Sequence, residues 1–142
     1  DLSALLANAA EQALAPYPGC PLIVELALPE VVTCDADRLS QLVSNLLINA
    51  AIHGRKGRPI VLRGHADDTA LVLEVRNEGV IAEASMKTLF EPFHRTGDQR
   101  LDSGLGLGLY IASQIAVSHG GALTVQSGEA IGTTFTLRMP LR

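Results

Sequence analysis

Apolar residues at Leu2, Leu5, Leu6, Ala9, Ala13 and Leu14 recur at helical spacing, and the cluster Pro16-Tyr17-Pro18-Gly19 cannot continue a helix. Short strands are expected at 22–26 and 31–33, on either side of Pro29. Asp35 or Asp37 then caps a long helix with the apolar stripe Leu39, Leu42, Val43, Leu46, Leu47 and Ala50. That helix stops at His53-Gly54, where glycine suits a left-handed C-cap. Two β-rich runs, 59–65 and 70–75, flank Asp67-Asp68-Thr69 and predict a hairpin. From 78 to 103 no period is sustained, apart from room for one short helix within 86–93. Residues 105–117 are helical again, His119-Gly120-Gly121 closes that helix, and 122–125 with 133–139 supply two final strands. Helices mixed with strands joined by tight turns pack most economically as a two-layer α/β sandwich, an antiparallel sheet covered on one face by three helices.

Composition narrows the class. A chain of 142 residues, 47% apolar and 18% charged, is the size of one domain, 1–142, and can bury a real core. The net charge of -4 and the lack of a dense basic run argue against nucleic acid as a partner. No apolar run approaches the ~20 residues of a membrane-spanning helix, so no direct membrane contact is expected. Cys20 and Cys34 have no metal spacing and form no disulfide framework, which makes a reducing cytoplasm the default location. The chain opens directly on helix-like sequence without an initiator Met, as an excised domain would, and whether the parent is membrane-anchored stays open.

Two stretches carry candidate chemistry. Gln41, Asn45, Asn49 and His53 are four residues apart and stack along one stripe beside the apolar face. A solvated helix face would look the same, but Asn flanked by Leu and Ala also offers a neutral carbonyl oxygen suited to Mg²⁺. His53 is equally a helix-end imidazole capping carbonyls or a ligand contact. Gly104-Leu105-Gly106-Leu107-Gly108-Leu109 precedes a helix; its glycines permit close approach, and the N–H groups of the helix start favour a phosphate chain. The spacing is neither the dinucleotide fingerprint nor a P-loop, and close packing of helix on sheet is the plain alternative.

The order of motifs decides more than either alone. The Asn45-x-x-x-Asn49 helix, Asn77-x-Gly79, Leu89-Phe90-Glu91-Pro92-Phe93-His94-Arg95 and Gly104-x-Gly106-x-Gly108 together resemble the catalytic ATP-binding domain of sensor histidine kinases, over about 35–140. The resemblance implies an α+β fold of the Bergerat type, a mixed, mostly antiparallel sheet of about five strands covered by three helices. It places Asn45, Asn49 and His53 in the N box, with Asn49 coordinating Mg²⁺ that bridges the ATP phosphates. Asn77 and Gly79 would recognise adenine, with Thr133 near the same pocket, while Phe90 and Phe93 would anchor the lid, 78–103. Arg95 would steady the terminal phosphate. Gly104, Leu105, Gly106, Leu107 and Gly108 would lie beside the phosphates. Asn45 stands where the hydrolysing relatives have a Glu base; Asn cannot act as a base, which favours phosphoryl transfer to a protein and makes Asn45 and Arg95 the catalytic candidates.

The implied ligands are ATP and Mg²⁺. The implied partners are a histidine on a dimerising helical phosphoacceptor domain of the same protein and the receiver domain of a response regulator, with the isolated domain monomeric. A regulatory nucleotide-binding module without transfer and an anti-sigma-type serine kinase are the alternatives. The chain departs from the pattern at Asn77, usually Asp, at Ile81, usually Gly, and at Ile52, often basic. Because an amide can accept or donate, Asn77 implies looser discrimination between adenine and guanine than Asp would give.

Overall fold

In the computed structural model, which describes residues 1–92 and 107–141, helix α1 (Leu2–Leu14) begins at Asp1, whose carboxylate accepts the Ser3 N–H at 3.0 Å. Its buried line is Leu2, Leu6, Ala10 and Leu14, while Leu5, expected inside, is 37% exposed. Strand β1 (Leu22–Leu26) follows, and helix α2 (Ala36–His53) is capped by Asp35, which accepts the Arg38 N–H at 3.2 Å. Helix α2 buries all six residues of the expected stripe against α1, α4 and the sheet.

Strands β2 (Ile60–Ala66) and β3 (Ala70–Asn77) form the expected hairpin. Its turn is built on Asp67, whose Oδ1 accepts the N–H groups of Thr69 and Ala70, each at 2.8 Å. Those two donors hold the Asp67 carboxyl well below the ordinary carboxylate value, with Arg138 at 3.2 Å adding to the effect. A short helix, α3 (Glu83–Met86), precedes helix α4 (Gly108–Ser118), and strands β4 (Ala122–Gly128) and β5 (Gly132–Pro140) close the chain. Helix α4 ends in a Schellman arrangement: Gly120 has φ 77, its N–H reaches Val117 O, and the Gly121 N–H reaches Ala116 O.

The five strands lie in the order β1-β2-β3-β5-β4. All neighbours are antiparallel except β1 and β2, which run parallel because α2 carries the chain across between them. Leu62, Leu73, Phe135, Leu137 and Met139 face inward with α1, α2 and α4, and Arg63, His65, Arg76 and Arg138 face out. The α+β two-layer fold with a mixed, mostly antiparallel sheet therefore stands as expected.

Three local expectations change. Residues 31–33 form no strand: β1 has β2 on one side only, Val31 is 85% exposed, and the chain turns directly into the α2 cap. The short helix lies at Glu83–Met86 rather than within 86–93, where Leu89 is buried and Phe90 turns onto Phe135 instead. Gly54 is extended, φ -78 and ψ 173, so its C-cap is not left-handed. Glycine is required there for proximity: a Cβ would stand 2.6 Å from Ala50 O and 3.3 Å from Asn77 Cβ.

His119 ties the far ends of two helices together. Its Nε2 accepts the Asp35 N–H at 3.0 Å, which leaves the proton on Nδ1, 2.9 Å from Ile115 O. This turn residue thus joins the start of α2 to the end of α4.

Candidate functional site

Helix α2 and helix α4 meet where the two candidate stretches were expected to cooperate. The Asn45 side-chain amide donates from Nδ2 to Gly108 O at 3.1 Å. A carbonyl only accepts, so this bond also fixes the amide orientation and leaves Oδ1 as the exposed acceptor. Asn49, one turn further along α2, is half-buried, and among the described residues its side chain makes no hydrogen bond. Helix α4 starts at Gly108 with Leu107 as N-cap, which makes no side-chain capping bond. Among the described residues no side chain satisfies its leading N–H groups, and no atom lies within 4 Å of where a Cβ at Gly108 would stand. An open helix start beside an unspent amide fits a phosphate chain with a bound Mg²⁺.

The second half of the site lies at the end of β3. Asn77 is its last residue, 6% exposed, opposite Thr133 in the β3–β5 register. Asn77 Oδ1 accepts the Gly79 N–H at 3.1 Å, and Nδ2 points to Ala50 O at 3.4 Å. Turning the amide over would set oxygen against carbonyl and N–H against N–H, so the two-way capacity expected of Asn77 is narrowed to one orientation. Gly79 lies directly against the carbonyl of His53, where a Cβ has no room. Gly132, at φ 72, is pressed equally closely onto Asn77 O. Thr133, 4% exposed, donates from Oγ1 to Gly79 O at 2.9 Å.

These contacts bring Asn45, Asn49, His53, Asn77, Gly79, Leu107, Gly108 and Thr133 to one end of the α2–α4 layer and the adjoining strand ends. His53 is half-buried in the last turn of α2. Arg95, Gly104, Leu105 and Gly106, together with Phe93 and His94, lie outside the described residues, as does the rest of the expected lid beyond residue 92. Phe90 packs edge-to-face on Phe135, centroids 6.0 Å apart, as an anchor does. Ile81, in place of the usual Gly, packs against the core. Among the described residues no group of three or more His, Cys, Asp or Glu side chains could hold a metal, and no helix is long and apolar enough to cross a membrane.

Ser127 and one ion pair escaped the sequence reading. Ser127 Oγ lies 2.7 Å from Thr133 Oγ1 and accepts the Ile81 N–H at 2.8 Å. The signal was available in the hairpin: extending β4 two residues past Val125 sets Ser127 opposite Thr133. Arg58 and Glu78 form an ion pair at 3.0 Å beside Asn77, which local pattern could not pair across 20 residues.

Comparison with known proteins agrees with the fold. Residues 34–142 match the family described as histidine kinase-, DNA gyrase B-, and HSP90-like ATPase. A bacteriophytochrome of Pseudomonas aeruginosa is 41% identical over 131 residues, covering 89% of this chain and 18% of that protein. The chain thus spans less than a fifth of that curated relative's length. Among solved structures, a mycobacterial sensor histidine kinase, MprB, superposes with a TM-score of 0.86 at 28% identity, covering 100% of this chain and 97% of that one. Full-length ShkA in complex with AMPPNP gives a TM-score of 0.81 at 27% identity over 99% of this chain and 30% of its own. The chain belongs to the histidine kinase-, gyrase B- and HSP90-like ATPase family, as an ATP-binding catalytic domain of the sensor-histidine-kinase type.

Proposed function

We propose that this chain binds Mg·ATP and donates the γ-phosphoryl group to a histidine on a helical dimerisation domain of its parent protein, from which it passes to an aspartate on a response-regulator receiver domain. The observation that carries the reading is the Asn45–Gly108 hydrogen bond, because it sets the amide stripe of α2 against an uncapped helix start. The ShkA neighbour, solved with AMPPNP, supports a nucleotide as the ligand.

The candidate residues divide between a base end and a phosphate end. Asn77, Gly79 and Thr133 form the base end, Asn49 is the metal ligand, and the N–H groups from Leu107 and Gly108 onward receive phosphate oxygens. The motif resemblance, rather than a described position, assigns Gly104, Leu105, Gly106 and Arg95 to the phosphate end and 78–103 to the lid of a module spanning 1–142. A bound Mg²⁺, held by Asn49, would neutralise charge that builds on the phosphate oxygens during transfer. Asn45 contributes orientation: its donated hydrogen bond holds the α4 start, and lacking a basic group it does not activate water, so an imidazole nitrogen is the nucleophile and ADP the leaving group. The proposed setting is the cytoplasm, with the isolated domain monomeric.

Two measurements test this. Calorimetric titration of the chain with a non-hydrolysable ATP analogue should show Mg²⁺-dependent binding that Asn49→Asp alters and Gly106→Ala abolishes. A longer protein that includes the helical domain should form acid-labile, base-stable phosphohistidine from ATP. Nucleotide binding without phosphohistidine would replace the kinase reading with a regulatory binding module, and transfer to serine would replace it with the anti-sigma-type reading.

A further inference from the structure

Gly79 and Ile81, just after β3, are held by side chains from three places. Asn77 Oδ1 accepts the Gly79 N–H, Thr133 Oγ1 donates to the Gly79 carbonyl, and Ser127 Oγ accepts the Ile81 N–H. The two hydroxyls also touch each other at 2.7 Å, where either could be the donor on distance alone. Proton counting settles the direction. Gly79 O can only accept, so the single hydroxyl proton of Thr133 is committed to it. The proton in the Ser127–Thr133 bond must therefore come from Ser127. The chain of bonds runs one way, from the Ile81 N–H through Ser127 and Thr133 to the Gly79 carbonyl, starting and ending on the same short segment.

We infer that Ser127 is a positioning residue for the base end of the nucleotide site: its hydroxyl closes a one-way relay that fixes Gly79 to Ile81 and leaves Thr133 able only to accept. This assignment rests on the function proposed above. Thr133 Oγ1 has given its proton to Gly79 and taken one from Ser127, so one lone pair remains for a ligand or a water. An oxygen in that state receives an amino group or a water proton and offers nothing to a carbonyl. Without Ser127 the Ile81 N–H loses its partner, and Thr133, 4% exposed, loses the donor that helps orient it. Ser127 itself is half-buried on β4, across the register from Thr133, and acts through that neighbour.

The experiment compares two ligands on the wild-type chain and on Ser127→Ala: Mg·AMPPNP, which carries a base, and Mg·tripolyphosphate, which does not. Melting curves first establish that each variant is folded. Ser127→Ala should bind Mg·AMPPNP about 10-fold more weakly, the scale of one broken buried hydrogen-bond chain, with tripolyphosphate changed by less than roughly 2-fold. Ser127→Thr, which keeps the hydroxyl, should restore the nucleotide affinity. Should Ser127→Ala fail to fold, Ser127→Cys replaces it, since a thiol fills the space and hydrogen-bonds weakly, and the same selective loss is expected. If Ser127→Ala, or Ser127→Cys in its place, weakens both ligands alike or leaves both unchanged while the wild type binds normally, the Ser127 assignment falls alone. A wild-type chain that binds neither ligand overturns the proposed function and the assignment with it.

Discussion

Asn45 and Asn77 are both amides whose orientation is set by carbonyls they must face. At Asn45 the donor is spent on Gly108 O. Asn45→Asp removes that donor and sets a carboxylate oxygen against the carbonyl, so nucleotide affinity should fall about 10-fold, corresponding to the 1–3 kcal/mol of a lost and unsatisfied contact. Titration calorimetry measures it, and an unchanged affinity would remove Asn45 from the site. At Asn77 the pinned amide argues for real base selectivity, against the looseness a freely turning amide would allow. Mg·ATP should outcompete Mg·GTP for the wild-type chain by roughly 10-fold or more. Equal competition would mean that the amide turns over in solution despite its two carbonyl and amide neighbours.

Between elements, close approach of backbones does much of the positioning. The end of α2 and the end of β3 meet at Gly54 and Gly79, and a methyl group at Gly79 would run into the His53 carbonyl. Gly79→Ala should therefore destabilise the fold by about 1–3 kcal/mol, read as a lower urea midpoint, as overpacking does. The β2–β3 turn makes a separate prediction. The Asp67 carboxyl is held below its ordinary 3.8 mainly by the Thr69 and Ala70 N–H groups. A depressed folded pKa contributes stability that is present above 3.8 and lost as pH falls below it toward the folded value. Denaturation midpoints of the wild type and Asp67→Ala should thus converge as pH drops below 3.8, and a constant gap would exclude this linkage.

Across the whole molecule, α2 is both the centre of the core and one wall of the site. Leu47 is 0% exposed, and Leu47→Ala should cost about 2–5 kcal/mol of stability through the cavity it leaves. Because the stripe beside that apolar face carries Asn45 and Asn49, the proposed binding links ligand to fold. Saturating Mg·AMPPNP at ~100 times its Kd should add about 2.7 kcal/mol of stability. Thermal melts that show no upward shift would contradict binding to the folded state. At the far end, His119 bonds the start of α2 to the last turn of α4.

The sequence by itself determined what depends on neighbours along the chain. The α2 stripe, a cap at Asp35 or Asp37, the turn at Asp67-Asp68-Thr69, the glycine closure of α4 and the Asn45–Asn49 pair on one helical face all follow from spacings of a few residues, where covalent geometry fixes direction. Tertiary structure decided what depends on residues distant in sequence. A strand at 31–33 needed a ladder partner that the sheet order does not provide, and β1 ran parallel to β2 because α2 intervenes. The need for Gly79 came from the His53 carbonyl, and the place of Ser127 came from its hairpin partner Thr133. No local pattern encodes such pairings, because hydrogen-bond register and backbone proximity exist only once the strands and helices have packed.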